Sequence, residues 1–399
     1  MFINKKIDYQ LAWFLRKAAN RLSPKNELGE AGYFNVGEET LPKNSKRAAI
    51  IYTVAGVEKY VRGINLEKDP FFNKHTMYWE SVEMVKILNR CGYIVDCFDD
   101  LRPVKIGWEK YNLVIDVSNH LKDCPPIEGQ RKIYYSACMH WLTWNRAELE
   151  RIRMFYERTG IMMPWNRQLP PIISDEYADY VTYFGTDLQK NSFSRKPQKI
   201  QINISAVFVP LPHKKDIKRS RNKFLWLGGG GLVHKGLDLT IETFMRLPEA
   251  ELFIAGNMKN EPRFWQWAEP ILKRCRNIHY LGWMDVASPE FNEIAENCIG
   301  TVYLSGAEGG PGSVAQILHN GLIPIVTPSA LVRAEVLGYK TDDTTDIKII
   351  QTAVESVKIL MNTPDKELAE KSDQVRTFAR ETHTRESYSR SLSDFISQI

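Results

Sequence analysis

Residues 224–244 read FLWLGGGGLVHKGLDLTIETF. An apolar run, Phe224–Leu227, meets four glycines, Gly228, Gly229, Gly230 and Gly231. Lys235 and Gly236 follow, and from Leu237 apolar residues recur at helical spacing. A strand, a glycine turn and a helix in that order can hold phosphate. Bare glycines let backbone N–H groups approach oxygen atoms closely and can adopt positive φ, and a lysine just beyond adds a point charge. The stretch is neither G-x-G-x-x-G nor G-x-x-x-x-G-K-[ST], which argues against a dehydrogenase fingerprint and against a Walker loop.

A second stretch, YLSGAEGGPGSVAQILHNGLIPIV at 303–326, places Glu308 just past a strand end. Gly309, Gly310, Pro311 and Gly312 then open a helix that runs through Ser313. Free N–H groups at a helix start favour an anion. A carboxylate would repel a bare phosphate, so Glu308 is read as accepting hydrogen bonds from hydroxyls beside it. An anion cradle next to a hydroxyl acceptor suits a sugar diphosphate, and both stretches sit where open α/β sheets bind ligands.

Outward from these two stretches the pattern is α/β throughout. RAAIIYTVAG, YIVDCFDD, YNLVIDVSNH, RKIYYSACMH, DYVTYFG and KIQINISAVFVP read as strands of a first half. Helical patterns end at Gly92 and Gly160. Residues 210–222, rich in proline and charge, read as a linker, after which KFLWLG, AELFIAG, NIHYLGW, GTVYLS and LIPIVT restart the alternation. Helices are predicted to begin near Leu237, Pro262, Ser288 and Gly312. The expected architecture is two Rossmann-like domains facing across a cleft. The expected units are a basic amphipathic helix at 1–26, an acceptor-side domain at 27–209, a nucleotide-sugar domain at 223–380 and a helix at 381–399 docking back. In that last helix Tyr388, Leu392, Phe395 and Ile396 share a face.

The 399 residues are 43% hydrophobic and 25% charged, the mix of a globular chain, and no apolar run reaches membrane-spanning length. No signal-peptide pattern opens the chain, and six scattered cysteines without a C-x-x-C pair read as reduced thiols, so a cytoplasmic setting is expected. Residues 1–26 carry six basic side chains and one acid, which equals the whole net charge of +5. The balanced body argues against nucleic-acid binding. Two readings fit the basic segment: a helix on the anionic inner face of a membrane, or a helix packed on protein.

On these residues the second half resembles the donor-binding domain of GT-B-fold glycosyltransferases, family-4-like and retaining. The match runs through Gly228, Lys235, Gly236, Ser305, Glu308, Gly309 and Gly321-x-x-Pro324. NIHYLGWMD is similar to the segment that borders the nucleotide base, which assigns Trp283 and Met284 to it. The resemblance covers residues 223–330 and implies a nucleoside diphosphate sugar as donor, a hydroxyl acceptor on a saccharide or glycolipid, no cofactor and no metal. It departs at Gly229, where the family has arginine, and at Gln316, where it has a second glutamate; Gln316 remains a candidate ribose partner and His234 a candidate replacement cation.

The acceptor side is less defined. The resemblance implies a histidine near the reacting sugar, and both His120 and His140 follow strand-like runs. His75 and Glu80 stand at a helix start, and residues 56–74 read as an acceptor-facing loop. The catalytic candidates are therefore His120, His140, Lys235 and Glu308, with Gly228–Gly231, His234, Trp283, Met284, Gly309, Gly310, Gly312, Ser313 and Gln316 as donor-binding candidates. Two rival readings remain, a non-catalytic nucleotide-sugar-binding subunit and a sugar-nucleotide epimerase.

Overall fold

The computed structural model describes residues 32–102, 105–211, 215–333 and 337–399. The basic segment 1–26 lies outside the described residues.

Two sheets form. The first contains β1 (Gly32–Val36), β2 (Lys46–Tyr52), β3 (Tyr93–Asp99), β4 (Leu113–Asp116), β5 (Arg131–Tyr135), β6 (Tyr180–Tyr183) and β7 (Gln198–Gln201), in the order β1-β3-β2-β4-β5-β6-β7. All its pairings are parallel except β1 with β3. The second contains β8 (Lys223–Leu227), β9 (Glu251–Ala255), β10 (Ile278–Gly282), β11 (Gly300–Tyr303), β12 (Ile323–Val326) and β13 (Tyr339–Lys340), in the order β10-β9-β8-β11-β12-β13, all parallel.

The strands are apolar on both faces because helices cover both faces of a parallel sheet. Ala48 to Ile51 are at most 2% exposed, and Phe224 to Trp226 are fully buried. In the second sheet the order turns around at β8, so β8 and β11 flank the point where crossovers leave in opposite directions. Their C-terminal ends leave a crevice between diverging loops. The glycine turn follows β8, and the Glu308 loop follows β11.

The lobes are tied together by the helix Trp141–Thr159, which follows β5. Its Ile152 and Phe155 enter the core of the second lobe. Arg151 Nη2 donates to Leu304 O at 2.5 Å, and Arg158 Nη2 meets Asp238 Oδ2 at 2.6 Å. The helix Arg385–Ile396 packs on the first lobe, where the Tyr388 and Tyr135 hydroxyls lie 3.0 Å apart.

Two stretches are more ordered than their composition suggests. Residues 56–74, expected as a loop, include the helix Ala55–Val61 and a 3-10 turn at Pro70–Asn73, joined by a 2.7 Å ion pair from Lys59 to Asp69. In the expected linker, Asp216 caps the short helix Ile217–Ser220. The buried Lys215 gives its ammonium to the carbonyls of Ala295, Glu296 and Cys298. Charge density misleads there because a lysine can close the open carbonyls of a helix end.

Candidate active site

The turn after β8 is shaped by neighbours as much as by glycine content. Gly236 has φ +68°, and a Cβ on it would lie 2.0 Å from the Leu304 carbonyl oxygen. Only glycine fits, because the following helix, Leu237–Met245, starts directly against the end of β11. Gly231 has φ +80°, and a Cβ there would meet Arg167 at 2.6 Å. Gly229 has nothing within 4 Å of that position, and Gly230 meets only Glu261 at 3.6 Å. Backbone is therefore laid bare to the cleft at Gly229 and Gly230.

Not every amide of the turn is free for a ligand. The N–H groups of Gly231 and Leu232 donate to Glu261 Oε1 at 2.6 and 3.2 Å. Gly231, expected among the phosphate donors, is thus already satisfied from inside the lobe, and it is absent from the residues lining the cavity.

Lys235 and Glu308 meet at the crevice, Nζ to Oε1 at 3.7 Å. Tyr303 OH donates to the same Oε1 at 2.7 Å and Ser305 Oγ at 3.2 Å. Burial would push the Glu308 carboxyl up, but Lys235, Arg167 and the other neighbours outweigh it and hold it below the usual range. Burial lowers the Lys235 ammonium, with Glu308 opposing. Beyond Glu308, a Cβ on Gly309 would lie 2.0 Å from Ala137 O of the first lobe, so Gly309 serves the approach of the lobes. Gly310 lines the cavity at φ +129°, and Gly312 has open space beside it.

These groups line one cavity of about 480 Å³ between the lobes. That volume suits a small-molecule site. Gly228, Gly229, Gly230, Lys235, Glu308, Gly310, Gly312 and Ser313 line it from the second lobe. Trp283 and Met284 line one end, and Trp283 is 68% exposed, a bare ring free to stack. Tyr52, Lys74, His75 and Glu80 line it from the first lobe. A hollow of about 610 Å³ near Lys122 and Lys196 lies on the first lobe alone. It lacks the glycine turn, and its Lys132 already donates to the Cys124 and Pro125 carbonyls.

Three candidates, His234, His120 and His140, are placed differently from the sequence reading, and a fourth, Gln316, is held by backbone at the cavity. His234, considered as a replacement cation, is 2% exposed and bonds through Nε2 to Ala307 O at 2.7 Å. Burial holds its pKa down to about 3, so it is neutral. Gln316 has both ends of its amide engaged by the Phe208 backbone: Phe208 N donates to Oε1 at 3.1 Å, and Nε2 donates to Phe208 O at 2.5 Å. Gln316 still lines the cavity, and its amide keeps one N–H and one lone pair beyond these two bonds.

His120 and His140 do not line the cavity. His120 Nδ1 lies 3.2 Å from Asp116 Oδ1, and its backbone N–H also bonds Asp116, which closes the loop after β4. The Asp116 bond raises the imidazole pKa, with burial opposing. His140 caps the interlobe helix, accepting from Leu142 N at 3.4 Å. The histidine that does reach the cavity is His75. Its Nδ1 accepts from Met77 N at 3.2 Å, which places the ring proton on Nε2. Desolvation and then the Lys235 charge lower its pKa.

Arg167, on the loop between the helix Trp141–Thr159 and β6, also lines the cavity, and no local signal assigned it to the donor side. In sequence, PWNRQLPP fits either a polar-acceptor contact or surface decoration. Its approach to the glycine turn depends on how the lobes meet. Glu261 was missed for the same reason, since only β9 and the turn after it carry this residue to Gly231.

No protein-family model matches the chain, and no curated protein matches it. Solved structures do. Sucrose-phosphate synthase from Thermosynechococcus elongatus aligns over 88% of this chain and 99% of its own, at 11% identity and a TM-score of 0.54. Anabaena HepE in complex with UDP and glucose aligns over 89% and 100%, at 11% identity and 0.53. The pneumococcal O-GlcNAc transferase GtfA in complex with UDP and GlcNAc is matched over 56% of its length, with a TM-score of 0.46, too loose to argue from. This chain has the GT-B-type architecture, two parallel-sheet lobes facing across a cleft, and at these identities the likeness is one of fold.

Proposed function

We propose that the protein is a glycosyltransferase that moves a hexose-type sugar from a nucleoside diphosphate sugar to a hydroxyl on a saccharide or glycolipid. The observation that carries the reading is the convergence of Lys235, the open backbone at Gly229–Gly230, Glu308 and Ser313 on one cavity, with His75 opposite. A structure of the same fold holds UDP and glucose, which supports the donor class.

In this reading the diphosphate lies across the glycine turn and the nucleobase rests on Trp283. As the bond from the sugar carbon to the diphosphate breaks, that carbon becomes oxocarbenium-like and negative charge grows on the leaving group. Lys235 and the free amides meet that charge, each well-placed donor worth about 3–4 kcal/mol. Glu308, whose three contacts converge on Oε1, accepts sugar hydroxyls at Oε2. His75 donates from Nε2 to the sugar. Transfer needs no metal and retains the anomeric configuration, both carried over from the family resemblance. Residues 1–26 bring the enzyme to an anionic membrane surface from the cytoplasmic side; deleting them should weaken binding to anionic vesicles, and unchanged partitioning removes this part of the reading.

A non-catalytic donor-binding subunit is the second reading, favoured by the neutral amide of Gln316 and the bare Gly229. Incubation with UDP-, GDP-, dTDP- and ADP-sugars separates them. Release of the nucleoside diphosphate supports transfer or its hydrolytic side reaction. Binding without turnover across acceptors favours the subunit, and an isomerised sugar nucleotide favours an epimerase. No binding by any of them removes the donor site.

A further inference from the structure

Arg167 belongs to the first lobe, yet it touches the second. A Cβ on Gly231 would lie 2.6 Å from both its Cγ and its Cδ. Its backbone is clamped on both sides: its N–H donates to Glu148 Oε1 at 2.5 Å, and its carbonyl accepts from Trp144 Nε1 at 2.6 Å. Its guanidinium carbon lies 5.0 Å from the Trp144 ring centroid, and the His234 ring lies 4.6 Å from the same ring. Its Nε is buried and has no hydrogen-bond partner.

The charges around it are unbalanced in an informative way. Arg167 and Lys235 act on each other as like charges, and Arg167 also acts on Glu308 and Glu261. Glu308 is already shared with Lys235, Tyr303 and Ser305. Glu261 Oε1 accepts from the N–H groups of Gly231 and Leu232, and Glu148 Oε1 accepts from Arg167 N, while Glu148 Oε2 is buried without a partner. Two half-buried cations that repel, with Glu308 and Glu261 committed to other donors, suit a polyanion between them. A guanidinium fork matches the paired oxygens of phosphate, whereas an ammonium offers a single point.

We propose that Arg167 reaches across the cleft to grip the donor diphosphate beside Lys235, so that the anion site is completed by both lobes. This rests on the donor reading above. The glycine turn has no cation of its own at Gly229, and Arg167 fills that role from the other side. The grip is preformed. The helix Trp141–Thr159, which carries Trp144 and Glu148, is anchored to the second lobe through Arg151 and Arg158, so little ordering is left for the ligand to impose.

The test is calorimetry on the full chain with UDP, GDP, dTDP and ADP, and with the matching monophosphates. R167M keeps the stem against Gly231 and Trp144 and removes the charge. It should weaken diphosphate binding by about tenfold to hundredfold while changing monophosphate binding less than about threefold. Adding G229R, at a position with open space, should recover most of the loss. If R167M fails to fold, R167K, which keeps the charge without the fork, should still lose about tenfold. Diphosphate binding that falls with K235M and stays unchanged in R167M or R167K overturns the role of Arg167 and leaves the donor site standing. Equal losses for mono- and diphosphates assign Arg167 to lobe packing instead. No binding of any diphosphate by the wild type overturns both.

Discussion

Lys235 Nζ stands 3.7 Å from Glu308 Oε1, the oxygen that also receives the Tyr303 hydroxyl at 2.7 Å. One carboxylate oxygen thus collects the local donors, and the ammonium is held at the mouth of the glycine turn. A buried pair of this kind is costly to split, because the remaining charge has no water to turn to.

Lys235→Ala should therefore act twice. Affinity for a nucleoside diphosphate should fall by about 2–3 kcal/mol, and stability should also drop as Glu308 loses its partner. Calorimetry and thermal melting read the two effects separately. Unchanged affinity in a folded variant removes Lys235 from the site.

Trp283 tests the nucleobase end. With 68% of its surface exposed, it contributes little to folding. Trp283→Ala should leave the melting temperature unchanged and weaken nucleotide binding by about 1–3 kcal/mol, the worth of one stacked base. Equal affinity in the variant places the base elsewhere.

Two glycines of one turn should respond in opposite ways. Gly236→Ala puts a methyl on the Leu304 carbonyl at positive φ and should cost about 2–3 kcal/mol or more in urea unfolding. Gly229→Ala meets open space and negative φ, and should stay within about 0.5 kcal/mol. Equal effects at both sites contradict the described geometry of the turn.

Glu80 sets a pH dependence. Burial raises its pKa from 4.5 to about 7, against the Ser205 hydroxyl that donates to it at 2.8 Å. The folded state then holds a proton that the unfolded chain releases. The stability from this group is fully present below about pH 4.5 and is lost as pH rises through about 7. Between pH 5 and 8 the wild type should lose about 2–3 kcal/mol relative to Glu80→Gln. Parallel pH profiles for the two proteins would show that Glu80 ionises normally.

Arg158 binds the lobes together. It pairs with Asp238, Glu242 and Asp346, and its side chain is 17% exposed. Arg158→Met leaves three carboxylates facing one another and should cost about 3–5 kcal/mol near neutral pH. Mild acid should restore part of the loss by protonating them, a recovery readable by melting at pH 5 and pH 8.

By itself the sequence determined the two α/β lobes, nearly every strand and the glycine turn, because these are local matters. Apolar runs of strand length and glycine at helix starts and stops carry their meaning within a few residues. The edge strands β1 and β13 escaped: β13 has two residues, and β1 is mostly not buried and so shows no apolar run. Which histidine faces the cleft, how the amide of Gln316 is held, and that Arg167 comes to the glycine turn were decided by the tertiary structure alone. Phe208 and Gln316 are 108 residues apart, and Arg167 meets Gly231 only because the helix Trp141–Thr159 is built into the other lobe. Contacts between distant segments leave no spacing in the chain to read; they exist only once both lobes are packed.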